Sequence, residues 1–277
     1  GKGGGVGLLY TKDTFTVTVE VVPPKGPDPV TVLDALSGLS GLSFDGFSVA
    51  TNPVAKPCMS AMALCALIQQ KMDRPAVLHC TTRDHNRLSL QGELWGARAL
   101  GIASILAATG DFVALEDRGS TSTVRDVDVY GLVRMARAAG MHTGVVFDMH
   151  PEANGLKSAI RHLEEKAAAG AQFAVTQPVY DAAGADLIAE SVRHIGIPVI
   201  MGILPLRTPR HAVFLHERVA GIAVPKNLRD RMRTSKDPVA EGAANAREMV
   251  CLARERFSGL CIMPPFDHYE VLSDILS

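Results

Sequence analysis

With 277 residues, the chain is long enough for one large α/β domain or two smaller ones, and its 47% hydrophobic and 21% charged residues are the balance of a soluble globular protein. A formal net charge of -1 supplies no basic field, so nucleic acid is not an expected partner, and no apolar run reaches the ~18 residues that a membrane span needs. Five scattered cysteines without a CxxC pair argue against a disulfide framework and a zinc site, and they suit reduced thiols in a cytoplasmic protein.

In chain order, the Gly-rich start reads as a flexible lead over residues 1–13, followed by one domain over 14–277. Strands are expected at Thr16–Val21, Gly46–Thr51, Ala76–Cys80, Ala103–Thr109, Thr143–Asp148, Gln172–Gln177, Pro198–Ile203 and Gly259–Met263. Most are continuous apolar runs, as in parallel strands covered on both faces. Between them lie helical patterns, at Asn86–Gly101 and Ser122–Gly140, and from the Asp237-Pro238 start to Phe257. A short helix is expected over His268–Leu276, and Ala220–Arg233 reads as part of an elaborated seventh crossover. Eight β/α units without a linker predict an α/β fold, a single-domain (βα)8 TIM barrel. A doubly wound open sheet is the other candidate, but GxGxxG does not follow the first strand.

Barrel enzymes carry their catalytic groups at the C-terminal ends of the strands. Those ends offer Glu20, Thr51, His79, Thr109, Asp111, Asp148, His150, Gln177, Gly202, Asp267 and His268. Polar residues there also cap helices and close turns, so each alone is compatible with a purely structural role. Glu20 stands apart. A carboxylate between Val19 and Val21 is unfavourable unless it is paired, with Lys25 for example, or kept neutral by desolvation as a general acid.

An ordered set of motifs then resembles the methylenetetrahydrofolate reductase family of the bacterial catalytic-domain type, from about Phe15 to Leu276. The carriers are VEVVPPKG (19–26), ATGD (108–111), HPEA (150–153), KAAAGAQFAVTQPVYD (166–181), GILPL (202–206) and IMPPFDHYE (262–270). Residues 81–101 are most similar to the reductase half of bifunctional homocysteine methyltransferase/reductase proteins. The resemblance implies a TIM-barrel oxidoreductase with FAD, or FMN, at its C-terminal face. NADH or NADPH would reduce the flavin, and methylenetetrahydrofolate would then be reduced to methyltetrahydrofolate, in methionine biosynthesis or in reverse in one-carbon catabolism.

By the same resemblance, Glu20 is the general acid that protonates the folate N10. Asp111 holds the pterin, and Gln177 contacts folate and nicotinamide. Thr51, His79, Thr109, Gly110, His150, Ala153 and Lys166 fall on flavin-contacting positions, with Lys166 suited to the pyrophosphate. Gln177, Gly202, Leu215 and His268 fall on substrate positions. Val146 and Ala159 replace a flavin-stacking tyrosine and a sugar-holding acid. Thr109 and His268 stand where arginines occur in other members, and Leu215 replaces a phenylalanine. These departures leave open a second reading, a reductase-like barrel that binds folate or a methyltransferase partner with weakened or no flavin. A homo-oligomer is also compatible with the sequence.

Overall fold

The computed structural model describes residues 7–148 and 155–277, so His150 and Ala153 lie outside the described residues. Eight parallel strands close into a barrel in sequential order: β1 Thr16–Val21, β2 Gly46–Val49, β3 Ala76–Thr81, β4 Ser104–Ala108, β5 His142–Phe147, β6 Phe173–Pro178, β7 Val199–Ile203 and β8 Gly259–Ile262. β8 pairs with β1 in the register Thr18↔Cys261, which closes the ring and removes both sheet edges. All eight expected strands are present, with ends shifted by at most two residues.

The outer ring consists of α1 Val30–Ser37, α2 Ala61–Met72, α3 Arg87–Ala99, α4 Val129–Ala138, α5 Gly155–Ala168, α6 Ala182–Val192, α7 Pro209–Arg218, α8 Lys226–Thr234 and α9 Pro238–Arg256. The starts are chemically marked. Ser60, Asn86, Asp128, Asp181, Thr208 and Asp237 each accept an N–H of the first helical turn. α4 is shorter than the expected Ser122–Gly140, because Asp128 caps it and the preceding chain is held extended by Val124 N–H donating to the Arg83 carbonyl. The expected helix over His268–Leu276 is a 3-10 helix at Tyr269–Asp274 instead. Phe266 and Asp267, just before it, are left-handed, and its buried residues are Tyr269, Val271 and Leu272. Ala220–Arg233 carries no strand; it leads into α8, within the seventh crossover.

Side chains alternate strictly along each strand. Val17, Val19 and Val21 pack outward against the helices in the main core, while Thr16, Thr18 and Glu20 occupy the opposite face. Inside the barrel, Val77, Leu106, Phe173, Val175, Ile200 and Cys261 form a separate cluster. Leu9 and Tyr10 join that cluster with 3% and 1% exposure. Tyr10 donates its backbone N–H to Thr16 Oγ1 at 3.1 Å, its hydroxyl bonds Thr18 Oγ1, and its ring packs 5.0 Å from that of Phe173. The segment expected as a flexible lead therefore includes the barrel floor. The barrel interior needs an apolar plug at its N-terminal end, and the nearest chain supplies it. Among the described residues, no helix is long and apolar enough to cross a membrane.

Candidate active site at the carboxyl end of the barrel

Glu20 is the last inward-facing residue of β1, half-buried, with Ser48 of β2 as its cross-strand neighbour. No lysine or arginine among the described residues pairs with it, so the Glu20–Lys25 ion pair is not formed. Burial alone pushes its carboxyl up to about 7. Val19 and Val21 are not the cause, because they point to the other side of the strand. Cys261 of β8, in the barrel interior, and Tyr269, after β8, lie within electrostatic range of the carboxyl. A carboxyl raised to about 7 keeps its proton up to near neutral pH, and no cation among the described residues neutralises its charged form.

His79, at the same end of β3, bonds Ser48 Oγ through Nε2 at 2.7 Å, and burial pushes its imidazole down to about 4. At neutral pH it is uncharged, so it offers the site a dipole rather than a cation.

On the far side of the mouth, Gln177 of β6 donates Nε2–H to Asp148 Oδ1 at 3.2 Å. Its Oε1 is buried without a partner among the described residues. A buried acceptor left unpaired is unfavourable by about 1–3 kcal/mol, and a ligand N–H would satisfy it.

Asp111 is exposed past the end of β4 and accepts the Val54 N–H at 2.7 Å. The preceding Gly110 has φ +90°, and a Cβ there would meet Arg83 at 3.2 Å, so this turn needs glycine. Thr109 is exposed and Thr51 half-buried on the same rim. The rim also presents Val54, Phe112, Leu115 and Phe266, all more than two-thirds exposed. An apolar edge around convergent polar groups suits a flat aromatic ligand. Asn52, Val54, Ala55, Phe266 and Asp267 all carry positive φ in the loops after β2 and β8. For the β-branched Val54, at φ 52°, this is strained backbone beside the site.

Two expected site residues are enclosed by neighbouring protein. Gly202 is bare because the β6 backbone occupies the space: a Cβ would sit 2.6 Å from the Thr176 carbonyl oxygen. The close approach expected of a ligand there is made by the neighbouring strand. Leu215 is buried inside α7 with Tyr180, Leu206 and Leu228, and the exposed ring is that of Phe214. Lys166, near the end of α5, reaches the carboxyl end of β5, where it donates Nζ–H to the Val146 carbonyl at 2.9 Å and lies within electrostatic range of Asp148; burial lowers its ammonium pKa. His268 does lie at the rim, with Nδ1 2.7 Å from Glu270 Oε1, and Arg207 is 3.9 Å from the same oxygen.

Sequence reasoning missed Arg83 and Asp84. Arg83 is 4% exposed, and Asp84 accepts from both its Nε and Nη2, at 2.6 and 2.9 Å. Burial would raise the Asp84 carboxyl, but bonds from Arg83, Asn52 and Thr81 and the charge of Arg83 outweigh it and hold the group below the usual carboxylate range. The one signal in the sequence was an Arg-Asp pair placed just past a strand end.

The sequence profile of the family described as methylenetetrahydrofolate reductase matches residues 8–262. A protein described as probable methylenetetrahydrofolate reductase (NADPH) from Caenorhabditis elegans is 32% identical over 139 residues, which is 47% of this chain and 20% of that protein. The chain thus aligns with about a fifth of that relative's length. Among solved structures, an uncharacterized protein from Clostridium thermocellum that binds two copies of 5-methyl-5,6,7,8-tetrahydrofolic acid superposes with a TM-score of 0.65 at 13% identity, covering 96% of this chain and 95% of that one. Phosphonopyruvate hydrolase superposes at 0.55 with 14% identity, over 94% of this chain and 78% of that one. At these identities the superpositions establish the barrel fold alone. The profile match runs from the floor segment to the last strand, and it identifies the chain as a member of the methylenetetrahydrofolate reductase family.

Proposed function

We propose that the protein reduces 5,10-methylenetetrahydrofolate to 5-methyltetrahydrofolate with NADH or NADPH, using FAD or FMN. The observation that carries this reading is Glu20: an inward-facing carboxyl at the barrel mouth, unpaired among the described residues and protonated up to about pH 7. It would give its proton to the folate N10, opening the five-membered ring and leaving a cationic iminium at N5. Asp111 would hold the pterin amino group and favour that cation by its negative charge. The orphaned Gln177 Oε1 would accept an N–H from the pterin or from the nicotinamide carboxamide.

The apolar rim and the unpaired Gln177 acceptor fit a flavin ring, and Thr51, His79 and Thr109 would border it. The flavin, when bound, supplies the hydride-carrying centre. The tetrahydrofolate bound by the Clostridium thermocellum barrel supports a folate as the ligand. Val146 and Ala159, which replace a flavin-stacking tyrosine and a sugar-holding acid, motivate the second reading, a folate-binding barrel with weakened flavin affinity.

One experiment separates the two readings. The purified protein should be yellow, release FAD or FMN identified by mass, and oxidise NADH with a quinone acceptor. A colourless protein that binds 5-methyltetrahydrofolate but oxidises no NADH after flavin addition would replace the reductase reading with the second.

A further inference from the structure

Arg83 has more partners than its own ion pair. Besides gripping Asp84, Nη1 donates to the Asp111 carbonyl at 3.0 Å and Nη2 to the Asn52 carbonyl at 3.2 Å. Asp84 Oδ2 accepts in addition from Asn52 Nδ2 at 3.1 Å and Thr81 Oγ1 at 3.3 Å. The Arg83 carbonyl accepts the Val124 N–H at 2.9 Å. One nearly buried guanidinium therefore ties together the loops that follow β2, β3 and β4, which are 28 and 31 residues apart in sequence.

The fork geometry matters to this arrangement. Two parallel bonds to Asp84 fix the plane of the guanidinium, and the remaining donors are then aimed at two carbonyls. Its Cζ and Nη1 close over Gly110, at 3.2 Å from where a Cβ would stand. Asp111 is thus held at both ends, its main chain by Arg83 and its carboxylate by the Val54 N–H. Asn52, whose carbonyl Arg83 also holds, is the left-handed residue that starts the strained Val54 turn.

We propose that Arg83, oriented by Asp84, is a positioning residue for the folate step, fixing the Asp111 carboxylate where the pterin binds. This rests on the reading of the mouth as a folate site. The Arg83–Asp84 pair is neutral overall, so its contribution is geometric. Small displacements of a positioned group lower turnover by up to roughly 100-fold.

The test compares Arg83→Lys, Asp111→Asn and the double variant. It measures calorimetric binding of 5-methyltetrahydrofolate, folate turnover, and NADH oxidation with a quinone. Arg83→Lys keeps the charge but loses the fork. It should weaken 5-methyltetrahydrofolate binding roughly tenfold and leave NADH oxidation within about twofold. The double variant should bind no more weakly than Asp111→Asn alone, because Arg83 acts through Asp111. Additive losses, or equal losses in both reactions, would overturn the assignment, since a merely structural role predicts them. If Arg83→Lys does not fold, Asp84→Asn, which leaves the guanidinium in place and frees its plane, must show the same coupling to Asp111→Asn. Wild-type protein that binds no 5-methyltetrahydrofolate overturns the folate reading itself. Wild-type binding with an unaffected Arg83→Lys overturns only the positioning role.

Discussion

The two ends of the barrel are built on opposite terms. At the N-terminal end, Leu9 and Tyr10 fill the lumen, the Tyr10 backbone and hydroxyl both find threonine partners, and Phe173 packs against the ring. At the C-terminal end, a carboxyl is desolvated without a partner, an amide oxygen is orphaned, and apolar side chains face outward. The same strands supply both ends, and in β1 only three residues lie between Thr16 and Glu20. Among the described residues, buried polar atoms without a partner occur at both ends, Arg74 Nη1 and His142 Nε2 at the closed one and Gln177 Oε1 at the open one; what sets the open end apart is a desolvated inward-facing carboxyl inside an exposed apolar rim.

The sharpest way to break this contrast is Glu20→Gln. If the open end works by proton donation from Glu20, folate turnover should fall by about 10²–10⁴-fold while NADH oxidation with a quinone survives. Parallel loss of both reactions would remove Glu20 from the acid role. The mirror experiment at the closed end is Tyr10→Ala. It should lower unfolding free energy by about 3–5 kcal/mol in urea denaturation, with folate KM unchanged. A Tyr10→Ala protein of wild-type stability would mean that the floor is ornamental.

Third, Glu20 should be detrimental to stability at high pH. Its folded value of about 7 lies above the ordinary carboxyl value of 4.5, so the unfolded chain releases the proton first. Wild-type stability is then lost as pH rises from about 4.5 to 7, by on the order of 2–3 kcal/mol, and Glu20→Gln escapes that loss. Melting both proteins at pH 5 and pH 8 checks the sign: the variant should gain on wild type at the higher pH. Folate turnover of the wild type should also decline as pH rises through about 7. The smallest expected effect is at Gln177→Leu. The substitution removes the orphaned acceptor but also the Nε2–H bond to Asp148, so the two effects should nearly offset and stability should shift by less than about 1 kcal/mol, while 5-methyltetrahydrofolate binding weakens by about 1–2 kcal/mol.

The fold was legible because parallel strands buried on both faces write continuous apolar runs, and turns and caps write the intervals between them. Glu20 was legible for the same reason, as the one charge interrupting such a run. Its environment was not. The period of two places its sequence neighbours on the far face, so the groups that desolvate it come from other strands. Arg83 and Asp84 were invisible for a related reason: the carbonyls that give Arg83 its role lie 28 and 31 residues away. Leu215 and Gly202 mark the converse error. A residue type that matches a site position says nothing of what its side of the backbone faces, and here one faces the helix core and the other the adjoining strand.

The buried Tyr10 also moves the border of the folding unit. Reading the apolar pattern alone, a protein engineer would begin an expression clone or fusion at Phe15, just ahead of β1. That cut discards the cork of the barrel and exposes the Thr16, Thr18 and Phe173 side chains that line its lower lumen. A partner fused upstream must therefore leave residues 8–13 as native sequence, because Leu9 and Tyr10 belong to the packed barrel.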